Sequence, residues 1–351
     1  MSPPIPAEPT AHPTHHHPPP GETGSRFFIV AQFGSVAALV GLIVFFRRTP
    51  GFATLSITFV SIFLEALPFM LLGAAIGGFI EVFVSKTAIT RIVPARPLPA
   101  ILLAAGLGLV FPVCECAIVP VVRRLFQKGL PLGAGIAFLL GGPIVNPLVA
   151  LSTAVAYGND LLIAGYRLAA GYLIAVAMGL LIDRLFSRKS ALLAGTMASL
   201  PESGGGLERP AIPLRARVKM LQALGHGASD FLDTGRFLVV GALVAGLLQT
   251  LVARGDLAAV SGSPSLSILA MMILAIVLSL CSEADAFVAA SFRTSLPLGA
   301  QMAFMVLGPM LDLKLLAMYF RIFRKRLILV LSVSTGIIVF LSMMAGTWMG
   351  Q

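Results

Sequence analysis

The sequence predicts an all-α polytopic membrane protein built from two inverted repeats, each with a Cys-bearing re-entrant or broken helical segment and a Gly-Pro-broken helix. Three observations predict it. Of 351 residues, 57% are hydrophobic and only 11% charged, with a mean hydropathy of +0.95, which is too apolar for a soluble domain. The same ordered motifs occur twice, about 167 residues apart. The Lys and Arg residues, finally, segregate to one side under only one of the two topologies considered below.

Residues 1–26 are Pro-rich and polar, with His12, His15, His16 and His17. This composition predicts a disordered tail, because it lacks the apolar mass to fold. The His cluster suits a soft or borderline metal, but a flexible tail offers it no fixed geometry. Residues 27–46 form a first apolar span with no small-residue cleavage site after it, so it is expected to stay in the mature protein.

A second span covers residues 54–84 and carries Glu65, either in the headgroup layer or facing a polar interior. The third apolar segment, residues 98–122, holds Cys114, Glu115 and Cys116 between Pro112 and Pro120. An ionisable group at that depth costs about 2.5–3.5 kcal/mol on insertion scales, and prolines free backbone groups to meet it. The fourth segment, residues 133–157, is interrupted at Gly142 and Pro143 and contains Asn146, which suits a cap of a broken helix end better than a substrate contact. The fifth, residues 160–186, contains Arg167, for which the sequence offers no partner.

Residues 187–217 are Gly-, Pro-, Ser- and Arg-rich, the composition of a cytoplasmic linker with room for a partner protein. The domain reading is therefore a tail at 1–26, a first span plus repeat 1 at 27–186, the linker at 187–217 and repeat 2 at 218–351. Glu65, Phe69 and Gly73 match Asp233, Phe237 and Gly241 at a constant offset of 168, and the run 130–134 matches 296–300 at 166. Between these anchors Cys114 lies opposite Cys281, with Glu283 and Asp285 following. Gly142, Pro143 and Asn146 lie opposite Gly308, Pro309 and Asp312.

Loop charge selects a topology. If every apolar segment crosses, Lys and Arg divide 13 against 9. If the two Cys segments are hairpins that enter and leave on one side, 18 fall on the linker side and only Arg47, Arg48, Arg254 and Arg293 opposite, leaving Arg167, Arg236 and Lys314 within spans. The positive-inside rule favours the hairpins. Three true crossings per repeat then make the repeats inverted, with the two hairpin tips meeting near the midplane.

The chemistry on offer at those tips is soft. Cys114, Cys116 and Cys281 are candidate ligands for trivalent arsenic, Cu(I) or Zn. Glu115, Glu283, Asp285 and Asp312 are candidates to contact substrate or accept its protons, and Glu65 and Asp233 to couple transport to protons. Lys314 and Arg236 suit Asp312 and Asp233 as charge partners, or else snorkel to the surface.

The run Cys114-Glu115-Cys116-Ala117-Ile118-Val119-Pro120, then Lys128 to Gly133, then Gly142-Pro143-Ile144-Val145-Asn146-Pro147, resembles the signature of the ArsP-like predicted permeases. Cys281-Ser282-Glu283-Ala284-Asp285 is similar to the partner motif in one branch of that family, and the likeness runs from about residue 54 onward. It implies a cell-membrane permease, and characterised members export trivalent organoarsenicals. Many members carry Cys-Ser-Cys where this chain has Glu115 between the thiols.

The expected function is a secondary permease exporting a thiol-reactive or soft metal or metalloid species. The alternatives are a permease for an unrelated small solute with structural cysteines, or an intramembrane thiol oxidoreductase. No phosphate-binding Gly-x-x-x-x-Gly-Lys loop is present, no redox-cofactor motif accompanies the thiols, and no cofactor is expected. Nucleic acid is not an expected partner, since the +10 charge lies in loops beside lipid.

Overall fold

Helices dominate because apolar runs of 10–25 residues, bounded by capping residues and prolines, leave a chain in lipid no other way to satisfy its backbone. The computed structural model describes residues 50–83, 93–94, 96–111, 114–193, 196, 216–251 and 263–349. The His-rich tail, the first span, Pro112 and most of the linker lie outside them. In order the helices are α1 (Pro50–Phe83), α2 (Pro97–Gly106), α3 (Glu115–Gln127), α4 (Leu132–Gly141), α5 (Pro147–Ala156), α6 (Leu161–Leu185), α7 (Arg188–Ala191), α8 (Ala216–Leu251), α9 (Pro264–Leu278), α10 (Ser282–Ser291), α11 (Leu298–Leu307), α12 (Leu313–Tyr319) and α13 (Lys325–Met349). Among the described residues the only β feature is a single bridge between Leu192 and Phe323.

Three stretches, Leu55–Val82, Leu161–Leu185 and Lys325–Gly346, are each long and apolar enough to cross a membrane. Leu64, Leu162, Leu173, Leu329 and Leu341 point outward from them, as lipid-facing side chains do. The ten-residue helices are too short, at about 15 Å each for a core of roughly 30 Å. They work in series. α4 runs into α5 through the turn at Gly142, Pro143 and Ile144, and α11 runs into α12 through the turn at Gly308, Pro309 and Met310.

Packing contacts fix the helix directions. Ile101 lies against Gly133 at the start of α4, and Ala105 lies against Gly141 at its end, so α2 and α4 run parallel. Phe126 meets Gly135 and Ile118 meets Gly142, so α3 runs opposite to α4. The chain thus climbs through α2, reverses before Cys114 and returns through α3. In the second half α9 ends at Ser279, whose left-handed backbone (φ 48°) turns the chain into α10 at Cys281. Across the halves, α10 packs on α5 and α12 on α3.

One sequence expectation is corrected here. Pro120 was expected to break its helix, yet α3 continues through it from Glu115 to Gln127. As the sixth residue of α3, Pro120 removes only the one bond its N–H would have given the Cys116 carbonyl, and the helix goes on beyond it.

Both broken helices restart on a cap. Asn146 Oδ1 accepts the Leu148 N–H at 2.9 Å and Asp312 Oδ1 accepts the Leu315 N–H at 2.6 Å, with both residues buried. Asn146→Ala is expected to cost about 1 kcal/mol and Asn146→Ser far less, since serine caps about as well as asparagine and brings no charge into the buried site. Thermal unfolding in detergent reads the difference, and equal losses in the two variants would remove the cap as the cause.

Candidate functional site

The two chain reversals converge on a buried ion pair. Cys114 and Cys281 stand at the N-cap positions of α3 and α10 with nearly the same backbone (φ −76°, ψ 169° and φ −77°, ψ 155°). The next residue after Cys114 is Glu115, first of α3 and 1% exposed. Its Oε1 lies 2.9 Å from Nζ of Lys314, which is 3% exposed and belongs to α12 of the other half. Close backbone approaches set this distance. A Cβ on Gly73 of α1 would lie 2.5 Å from the Ala117 carbonyl oxygen, and one on Gly241 of α8 would lie 2.6 Å from Cα of Lys314. Only glycine lets α1 and α8 press so near the two partners.

Lys314 Nζ also donates to the carbonyl oxygens of Ser279 (3.0 Å) and Leu280 (3.3 Å), and Asp312 Oδ2 lies 3.5 Å away. The ammonium thus spends its hydrogen bonds on backbone carbonyls and meets Glu115 Oε1 and Asp312 Oδ2, both buried, as charge partners. Ser279 is locked by more than its carbonyl, because its Oγ accepts the Leu313 N–H at 3.3 Å. Ser282 Oγ sits 3.4 Å from both Glu115 Oε2 and Glu283 Oε2.

The thiols flank this pair. Cys116 faces Cys114 and the Lys314 ammonium, while Cys281 faces Glu115 and Glu65 and accepts the Ala284 N–H at 3.4 Å. Glu65 therefore reaches the site from α1. All three cysteines are free. Among the described residues no three His, Cys, Asp or Glu side chains gather around one point as a metal site. The side chain of Asp233 lies outside the described residues, and Arg236 stacks over the Phe237 ring at 5.6 Å.

Comparison with known proteins places the chain in a family. The ArsP_1 family, described as a predicted permease, matches residues 52–347. The chain belongs to that family. It is 39% identical over 280 residues to UPF0718 protein YcgR of Bacillus subtilis, covering 80% of this chain and 92% of that protein. It is 35% identical over 271 residues to a putative two-component membrane permease complex subunit of Streptococcus mutans, covering 77% and 87%. A more distant likeness, 25% over 146 residues and 41% of each chain, is to UPF0718 protein YraQ of Escherichia coli. No solved structure matches it.

The permease holds a second buried cation that its sequence left without a partner. Arg167, in α6 and fully buried, donates from Nη2 to the Ser282 carbonyl (2.8 Å), from Nε and Nη2 to the Met305 carbonyl (3.2 and 3.0 Å), and from Nη1 to Thr153 Oγ1 (2.8 Å). It also faces Asp285, whose Oδ2 is buried without a hydrogen bond, close against Gly308. Of the carbonyls that Lys314 and Arg167 hold, those of Ser279, Leu280 and Met305 are ones the second-half breaks set free, while that of Ser282 belongs to the first turn of α10.

Ties also close the two ends of the permease. At one end Asp230 of α8 pairs with Arg123 (3.1 Å) and Arg124 (2.5 Å) of α3, while Lys128 and Arg124 meet Glu81 of α1 at 3.5 and 3.6 Å. At the other, Tyr157 donates to Gln301 Oε1 at 2.7 Å, and Arg293 lies over the Tyr157 ring.

Proposed function

We propose that this permease is a secondary transporter in which two inverted repeats alternate around the site between Cys114 and Cys281. In this reading it exports a thiol-reactive or soft metal or metalloid species, such as trivalent organoarsenicals. The observation that carries it is the placement of matched cysteines at both chain reversals, on either side of an ion pair joining the halves. Thiols at the two tips suit a soft species that exchanges ligands as the halves move, rather than a resident ion.

The buried charges support coupling to protons. Among the described residues the buried Glu115, Asp285 and Asp312 and the half-buried Glu283 gather near Lys314 and Arg167, an excess of acid that protons or a cationic solute would balance. Asn146 and Asp312, at the restarts of the broken helices, hold the backbone around the substrate path. The helix-spanned body lies in the cell membrane with the linker at 187–217 in the cytoplasm. A partner subunit there is consistent with the complex named for the Streptococcus mutans relative.

One observation favours a second reading, in which the acids carry an unrelated solute and the cysteines only pack. Cys116 is 2% exposed, and the Cys281 thiol is occupied as a helix cap. Both readings are tested by the resistance of a sensitive host to methylarsenite and soft metal ions, with Cys114→Ser and Cys281→Ser variants alongside. The thiol reading expects protection by the wild type and its loss in both variants. Wild-type protection that survives both substitutions supports packing cysteines, and no protection from membrane-inserted protein rejects efflux of these species.

A further inference from the structure

We infer that the permease binds the phosphate headgroup of an anionic phospholipid in a basic pocket where its two halves are stitched together. The pocket, about 440 Å³, is lined by Leu185, Phe186, Ser190, Arg324, Arg326 and Val330. Its walls come from both repeats, the end of α6 and α7 on one side and the start of α13 on the other. Backbone bonds from Leu193 N–H to the Ile322 carbonyl (3.0 Å) and from Arg324 N–H to the Ala191 carbonyl (2.9 Å) tie the two sides together next to the lining residues Ser190 and Arg324.

Three features choose the occupant. Residues 184–190 and 321–326 together carry seven Lys and Arg and no acidic residue, so the pocket's field selects an anion. Arg324 spends its Nε on the Leu192 carbonyl, whereas the exposed Arg326 has no acidic partner among the described residues. The pocket also lies where the stretches Leu161–Leu185 and Lys325–Gly346 both end, the level at which a membrane presents its headgroups. From it the exposed side chains of Leu185 and Leu329 continue an apolar wall along which acyl chains can lie. A free phosphate would use the guanidinium groups and leave that wall idle, so the site is assigned to the lipid. Basic pockets between membrane helices take anionic headgroups by this combination of charge and depth.

The test uses the purified full chain in an uncharged detergent, titrated with phosphatidylglycerol, phosphatidylcholine or inorganic phosphate. Native mass spectrometry counts bound lipid and thermal unfolding reads its effect. Phosphatidylglycerol is expected to bind and raise the unfolding midpoint, with phosphatidylcholine and phosphate doing neither. Arg326→Gln is expected to weaken phosphatidylglycerol about fivefold, the worth of one basic side chain near a headgroup. Lys189→Gln, at the same end but outside the lining, changes affinity less than twofold. Ser190→Glu, which places a negative charge in the pocket without removing an arginine, provides a second variant with the same expected loss. Equal binding of the two lipids, or full affinity in both Arg326→Gln and Ser190→Glu, overturns the site. Displacement of the lipid by inorganic phosphate at matched concentration makes it a free-anion site and overturns the lipid assignment.

Discussion

Lys314→Met, made alone, will destabilise the permease by about 3–5 kcal/mol, the usual result of stripping one partner from a buried ion pair. Glu115, 1% exposed, is then left with only a long Ser282 hydroxyl contact, and Asp312 Oδ2 loses the cation beside it. The carbonyls of Ser279 and Leu280 lose their donor as well, and with it one of the contacts that hold Ser279 in a left-handed conformation. The double variant Glu115→Gln with Lys314→Met should recover a large part of the loss, because the orphaned charge is gone while the volume is kept. Thermal unfolding in detergent across the four proteins gives the coupling directly. Additive losses would mean that the pair does not form in the folded protein. If the double variant folds like the wild type yet no longer protects a host, the pair serves transport and not merely assembly.

Which parts of this arrangement were legible in the sequence follows from the range of the forces involved. Two local matches were legible: Cys114 and Cys281, 167 residues apart, and Asn146 and Asp312, 166 apart, each stand at a helix N-cap. Asn146 as a cap was legible too, since an Asn before Pro at a helix restart has a short-range partner two residues on. The Lys314 pairing was half legible. Asp312 is local and was expected, whereas the nearer partner, Glu115, is 199 residues away and comes from the other half. Arg167 was invisible because two of its acceptors are carbonyls, which carry no residue-type signature. The available signal was only the cost of an arginine in a long apolar run opposite two Gly-Pro breaks. Pro120 misled because proline reads as a breaker wherever it falls, while its effect depends on position within the helix.

Arg167→Met is expected to match or exceed the loss from Lys314→Met, and Arg167→Lys to recover only part of it. The guanidinium makes four contacts from one plane, to the carbonyls of Ser282 and Met305 and to Thr153 Oγ1. The Thr153 hydroxyl is already oriented, because its own proton goes to the Val149 carbonyl at 2.7 Å, leaving a lone pair for Arg167. Methionine fills the space but leaves these buried acceptors without donors, at about 1–3 kcal/mol each, and removes the positive charge that Asp285 faces. Lysine restores the charge. Its compact ammonium lacks the fork that spans α5, α10 and α11 at once, so the carbonyls of Ser282 and Met305 cannot both be served along with Thr153. Thr153→Val, which deletes one acceptor and leaves the fork's two carbonyl grips, should cost less than either, about 1.5–3 kcal/mol for the one buried charged N–H it orphans. Unfolding midpoints of the three variants rank these contributions. A lysine variant as stable as the wild type would show that charge opposite Asp285, rather than the forked grip on backbone carbonyls, is what Arg167 supplies.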